Sequence, residues 1–215
     1  HLLPEGWELP ANIAVVPNVL LVANSVPAKT VNELIALLKA NPGKYSYGSS
    51  GIGTPLHLSG ELFKTMAGVK MEHIAYRGGA PAMNDLVAGQ IPLMFDVLTG
   101  AASFIKAGSV RALGVSTKVR SRAFPDIPTI AEAGLPGFET YTWNAIFGPA
   151  GIPKETVDAL SGAFQKVVAD QEIQQRLSEI SATPIGSNAE GLAAHVRAEN
   201  ALWAPIVAAI GLKVD

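Results

Sequence analysis

An α/β fold is predicted by three observations. A strand, a turn of glycine or other small residues, and a helix follow one another repeatedly through the middle of the chain. Two of those turns place proline at the helix entry, and the last third of the sequence reads as helices alone. Residues 44–48 lead through Ser49-Ser50-Gly51-Ile52-Gly53-Thr54-Pro55 into a helix that reaches Met66. Residues 70–75 lead through Tyr76-Arg77-Gly78-Gly79-Ala80-Pro81 into a helix ending near Gly89. Ile91 to Phe95 leads through Asp96 into a third helix near 101–107, and alternation at this interval predicts parallel strands.

The flanking elements follow from local chemistry. Ile13, Val15, Val16, Val19 and Val22 predict an extended segment over 12–23, interrupted at Pro17. Thr30 and Glu33, three apart, form a capping box; Leu34, Leu37 and Leu38 make an apolar stripe, and Asn41-Pro42-Gly43 ends that helix. A strand is expected over 110–116, a proline-broken loop over 120–128, a short helix over 129–133, and an aromatic-rich extended segment over 138–147. Beyond Pro153, apolar residues three and four apart predict helices over 154–169, 171–181 and 189–210, the last carrying Pro205.

Composition narrows the function. The 215 residues are 48% hydrophobic, ample for a core, and 16 Lys+Arg against 18 Asp+Glu leave a net charge of -2. No basic stripe meets a phosphate backbone, so nucleic acid is not an expected partner. Without cysteine there are no disulfides or thiolate metal sites, and the redox compartment stays open. No apolar run approaches the ~20 residues of a bilayer-spanning helix, so a membrane-embedded chain is not expected. The opening residues 1–7 show no basic n-region, apolar h-region or small-residue cleavage site.

The two glycine-rich turns carry the most chemistry. Proline in the first turn marks the start of each following helix, where backbone N–H groups are left unpaired, and with the positive end of the helix dipole these bind an anion without a cationic side chain. Gly51, Gly53, Gly78 and Gly79 admit close backbone approach, and Ser49, Ser50 and Thr54 add hydroxyls, Thr54 alternatively serving only as a helix cap. Following successive parallel strands, both turns fall on the carboxyl edge of one sheet, the ligand side of open α/β sheets. Neither turn is a complete nucleotide-binding motif. Arg77 either pairs with a carboxylate or sits at the surface, and Asp96 either accepts a hydrogen bond from a ligand or caps the next helix. His57, His73 and His195 have no partner at zinc-ligand spacing, so no metal site and no cofactor are expected. His57 reads as a packed, hydrogen-bonded histidine sooner than a catalytic base, and no Gly-x-Ser-x-Gly elbow supplies a nucleophile. For Phe138, Tyr141, Trp143 and Phe147, core or hinge packing is expected over a stacking platform.

An ordered series of segments then stands out: 27–34 (PAKTVNEL), 41–51 (NPGKYSYGSSG), 57–63 (HLSGELF), 76–81 (YRGGAP), 124–134 (FPDIPTIAEAG), 148–153 (GPAGIP) and 199–203 (ENALW). Together they closely resemble the Bug or TctC type of substrate-binding protein of tripartite tricarboxylate transporters, nearly end to end. The resemblance implies a periplasmic-binding-protein-like, two-lobed Venus flytrap of parallel-strand lobes. Such a receptor sits in the periplasm, captures a small carboxylate unchanged (a di- or tricarboxylate, an amino acid or an aromatic acid) and delivers it to a cognate membrane permease. It implies a ligand-binding lobe over 24–140, with 1–23 and 141–215 forming crossover segments and the rest of the first lobe. Relatives carry a signal peptide and a further glycine loop upstream, so an incomplete N-terminal lobe is expected. The family's binding loops fall on Ser49, Ser50, Gly51, Gly53 and Thr54 and on Tyr76, Arg77, Gly78, Gly79 and Ala80, with His57 and Asp96 beside them.

Two other readings compete. One is an α/β enzyme acting on a small carboxylic acid, with His57 or Asp96 as acid or base. The other is an interaction module that dimerises through an exposed apolar face.

Overall fold

The computed structural model describes residues 7–211; the opening residues 1–6, read above for an export signal, and the closing residues 212–215 lie outside the described residues. In chain order the elements are β1 (Trp7–Ala23), α1 (Val31–Ala40), β2 (Ser46–Ser49), α2 (Pro55–Ala67), β3 (Glu72–Ala75), α3 (Gly79–Val87), β4 (Leu93–Val97), α4 (Leu98–Lys106), β5 (Val110–Val115), β6 (Tyr141–Pro149), α5 (Lys154–Ala169), α6 (Gln171–Glu179), β7 (Thr183–Pro184) and α7 (Ala189–Ala209). They divide into two compact units: residues 17–142, and residues 7–16 with 143–211.

The unit over 17–142 is built on the strand order β3-β2-β4-β1-β5. β2 pairs parallel with β3 (Ser49 opposite Ala75) and with β4 (Gly48 opposite Met94). β1 runs antiparallel to β4 and to β5. The parallel strands expected of the repeated strand-turn-helix units are thus present, and β1 makes the whole a mixed sheet. A helix returns the chain after β2 and after β3, as a parallel crossover requires, whereas β1 enters from the opposite direction and fits only as an antiparallel insertion. β1 is also one unbroken strand, not two pieces around Pro17. Its pairing with β7 ends at Val15 and its pairing with β4 begins at Asn18, so proline, lacking an N–H, falls between the two ladders.

Helix entries form for local reasons. Thr30 accepts the N–H of Glu33 at 3.1 Å, and the Glu33 carboxylate reaches back to the Lys29 N–H at 2.7 Å, one residue before the usual capping-box target. Thr54 caps α2 by accepting the His57 N–H, with Pro55 in the first turn. The segment 129–133 forms turns rather than the expected helix, and Thr129 bridges to Val115.

Fully buried Tyr47, Phe63, Phe95, Phe138, Leu20 and Leu21 centre the core of this unit. Phe63, Phe95 and Phe138 meet with ring centroids 6.1–6.3 Å apart, so Phe138 is a core residue. Beside it lies a buried polar node. The Asn18 amide donates to Ser59 Oγ at 3.2 Å, its carbonyl accepts from Thr142 Oγ1 at 2.8 Å, its backbone N–H reaches Ser116 Oγ at 2.9 Å, and Ser59 donates to Thr140 at 2.8 Å. Each polar group there is matched, which is the condition for burying it without penalty.

The second unit is mainly helical. Asp170 caps α6 through the N–H groups of Glu172 and Ile173, and Asn188 caps α7 through Gly191. Pro205 lies within α7, which continues through it to Ala209. Within α7 the Trp203 indole donates to Glu199 at 2.9 Å, and the ring of Trp143 stands edge-on to His195 at 5.2 Å. The two-residue β7 went unseen in the sequence because so short a strand has no periodicity to read.

Packing between α2 and β2 gives the first prediction. A Cβ on Gly60 falls 2.1 Å from the ring of Tyr47, whose hydroxyl is held by Glu61 at 2.7 Å and cannot retreat. Gly60→Ala should cost about 3 kcal/mol or more, read as a lower urea midpoint with an unchanged slope.

Candidate functional site

Parallel pairing brings the carboxyl ends of β2, β3 and β4 to one sheet edge, and the chain leaves each through a residue singled out in the sequence. The turns are tied together: Tyr76 N–H donates to the Ser49 carbonyl and Gly78 N–H to the Ser50 carbonyl, both at 3.1 Å. A Cβ on Gly51 falls 3.5 Å from the Tyr76 carbonyl, and one on Gly79 falls 3.1 Å from Asp96 Oδ1. Ser49 to Thr54, Tyr76 to Ala80 and Asp96 therefore form one continuous edge.

The two turns use their donors differently. In the first, Gly51 N–H goes to Ser49 Oγ at 3.2 Å, Gly53 N–H to His57 Nδ1 at 3.0 Å, and Thr54 N–H to the Gly51 carbonyl at 3.4 Å. The Thr54 hydroxyl donates to the Gly51 carbonyl at 2.8 Å while accepting the His57 N–H. This turn is closed on itself, so the donors expected of Gly51, Gly53 and Thr54 are largely spent within it.

The second turn is open. Gly78, at φ +110, enters α3 with no side-chain cap, and among the described residues the Gly79 and Ala80 N–H groups have no hydrogen-bond partner. Unpaired amides at the positive end of a helix are a ready anion site. Pro81 fills the third helical position, where it has no N–H to leave unpaired. α4 also begins without a side-chain cap, just beyond Asp96.

Asp96 is 7% exposed and accepts the Val97 N–H at 2.8 Å. Its second oxygen lies 3.5 Å from a Cβ placed on Gly100, so the carboxyl sits between the first turns of α3 and α4. Burial pushes its pKa up to about 6, and the Val97 bond opposes that only in part. Arg77 is exposed and forms no ion pair among the described residues. Tyr76 donates to Asp85 Oδ2 at 2.7 Å, and burial and that carboxylate push its hydroxyl up to about 12. Its hydroxyl is thereby committed to α3.

His57 is 5% exposed, and both its ring nitrogens face partners inside the unit, Nδ1 the Gly53 N–H and Nε2 the Glu61 carboxylate 3.8 Å away. It stands behind the first turn. His73, which the sequence did not place at the site, stacks on His57 at 3.8 Å with an 11° tilt and places Nε2 2.7 Å from Ser49 Oγ. Alternation along β3 was the only available signal, and it does not say which helix covers the ring. Among the described residues no cluster of His, Asp and Glu is placed to hold a metal ion, and no helix is long and apolar enough to cross a membrane.

The same fold is found in solved periplasmic binding proteins. The periplasmic binding protein BugD is 33% identical with a TM-score of 0.86, over 96% of this chain and 70% of that one. The Rpa4515 protein of R. palustris, solved with adipate, is 37% identical with a TM-score of 0.90, over 96% of this chain and 69% of that one. Among curated relatives, the UPF0065 protein in the tcbD-tcbE intergenic region of Pseudomonas sp. strain P51 is 37% identical over 90% of this chain. The chain belongs to the tripartite tricarboxylate transporter family receptors, whose TctC model matches residues 8–212. Its structural neighbours in this family are solute receptors, not enzymes. It spans 58% of the length of the Pseudomonas relative.

Desolvation of Asp96 carries a signed prediction. The unfolded carboxyl loses its proton near 3.8 and the folded one near 6, so the stability associated with the neutral form is complete below about pH 4 and is lost as pH rises through 6. Asp96→Asn should remove that slope, on the order of 2–3 kcal/mol, in the difference between wild-type and variant denaturation midpoints recorded across this range.

Proposed function

We propose that this chain is the solute-capturing part of a periplasmic receptor that binds a small carboxylate, unchanged, for delivery to a membrane permease of the tripartite tricarboxylate transporter type. The observation that carries the reading is the uncapped entry of α3. Two N–H groups, of Gly79 and Ala80, are unpaired at a sheet edge that also holds Ser50, Gly78 and Asp96. Such a site recognises a carboxylate by geometry and helix polarity without a lysine or arginine.

Family membership and the adipate bound to the R. palustris relative support the substrate class and the transporter connection. We assign the ligand-binding lobe to residues 24–140, and the segments 1–23 and 141–215 to the crossovers and the remainder of the other lobe. The site consists of the Ser49–Thr54 and Tyr76–Ala80 turns with Asp96. A solute carboxylate arriving next to Asp96 favours its neutral form, which desolvation already brings close. The closed first turn then acts as a rigid wall, and the open second turn supplies the donors.

Native mass spectrometry of the chain with a panel of mono-, di- and tricarboxylates and aromatic acids tests this reading. One unaltered acid retained per chain is the expected result; an acid converted to product, or none retained, overturns it. Gly79→Ala sets a methyl 3.1 Å from Asp96 Oδ1, and Gly78→Val forces a β-branched residue to φ +110. Each should weaken adipate binding by about tenfold or more, while Arg77→Ala, which removes only an exposed cation, leaves it within about threefold. Calorimetry that finds both glycine variants at wild-type affinity removes the site from this edge.

A further inference from the structure

We infer that the stacked imidazoles of His57 and His73 are a positioning device for the Ser49–Thr54 turn, holding it in shape while both rings are neutral and releasing its helix end when His57 is protonated. The inference deepens the carboxylate-receptor reading and rests on it for its consequence, the release of solute in acid.

Each end of the turn depends on one ring. At its helix end, His57 Nδ1 accepts the Gly53 N–H at 3.0 Å. That bond requires a lone pair on Nδ1, so the neutral ring carries its proton on Nε2, facing Glu61. At its strand end, His73 Nε2 lies 2.7 Å from Ser49 Oγ, and the same oxygen takes the Gly51 N–H at 3.2 Å and lies 3.1 Å from the Gly51 carbonyl. The rings face each other at 3.8 Å. Both rings thus contact the turn directly, one at each end.

The groups around the pair resist a positive charge. Glu61 of α2 is the one anion facing it among the described residues, and its carboxylate is already engaged by the Tyr47 hydroxyl at 2.7 Å and by Lys64 Nζ at 2.8 Å. From β2, Tyr47 places its ring 4.9 Å from His73, and Ser49 contributes its hydroxyl. Lys64 adds a cation on the same side. A proton on His57 Nδ1 removes the Gly53 acceptor and sets two N–H groups against each other. A proton on His73 places a cation against the neighbouring ring, while Nε2 goes on donating to Ser49 Oγ, whose own hydrogen is given to the Gly51 carbonyl and whose other lone pair takes the Gly51 N–H.

Burial is the largest cause holding both imidazoles below their ordinary range, His73 to about 4, with the neighbouring ring adding to the shift of His73. Both folded values lie below the unfolded 6.5, so the stabilisation is complete above that pH and is lost as pH falls toward 4. The sign is opposite to that of Asp96, which separates the two groups in one titration.

The test follows the Gly53 amide and the His57 ring nitrogens by NMR in the full chain, without solute, from about pH 8 to about pH 4, with adipate calorimetry run in parallel. His57→Asn places an amide oxygen near Nδ1 and cannot titrate; His57→Phe keeps a ring to stack and offers no acceptor. The Gly53 amide should move with protonation of His57 in the wild type, stay at its neutral position at every pH in His57→Asn, and sit elsewhere in His57→Phe. Adipate affinity should fall about tenfold in His57→Phe and lose its decline in acid in His57→Asn. A Gly53 amide indifferent to the His57 ring, or His57→Phe with wild-type affinity, overturns the inference; should that variant not fold, the wild-type and His57→Asn titrations still decide it. A chain that retains no adipate at any pH refutes the receptor reading alone, because the amide titration stands without solute.

Discussion

The parallel seat of β2 between β3 and β4 is the constraint on which the rest depends. It forces three strand ends to one edge, so that two glycine-rich turns and a buried aspartate, far apart in sequence, share a few ångströms of surface. Antiparallel pairing at either side of β2 sends one turn to the opposite edge. The short ties from Tyr76 and Gly78 to Ser49 and Ser50 then make a single surface of the two turns.

On that surface, order and availability are divided. The Ser49–Thr54 turn satisfies itself, with Ser49, Thr54 and His57 consuming the donors that a free glycine turn leaves open. The turn is held in one shape because the N–H groups of Gly51, Gly53 and Thr54 are all bonded within it. The α3 entry is the reverse, an N-cap glycine with no side chain to bond the following amides. A preorganised wall beside unpaired donors is what anion recognition asks of a protein, because the cost of ordering is met in folding rather than in binding. Desolvated Asp96 and the histidine stack add titratable groups of opposite sign to the same edge.

The polar node at Asn18 shows how the unit keeps this edge in place. Asn18 in β1, Ser59 in α2, Ser116 after β5 and Thr140 before β6, all buried, bond to one another, to Thr142 and to backbone, and so locate α2 against the central strand more specifically than apolar contact alone. Since α2 carries His57, the register of the first turn is inherited from this node. The family relationship fits that arrangement, for the YGSSG, HLSGELF and YRGGAP segments on which the resemblance rests are the ones that build β2, α2 and the entry to α3.

Local chemistry by itself determined much of this protein. The Thr30 and Thr54 caps, the proline entries at 55 and 81, the helices after residue 153 and the glycine turns were legible because each is settled within four or five residues by hydrogen bonding and steric freedom. The order of motifs was enough to place the chain in its family. Tertiary structure alone decided the antiparallel insertion of β1 through Pro17, the failure of 129–133 to become a helix, the pairing of His57 with His73, and which turn keeps its amides free. Those outcomes depend on which surfaces meet across the sheet. A hydrogen bond between residues 24 apart, as between Ser49 and His73, leaves no trace in the spacing of either neighbourhood.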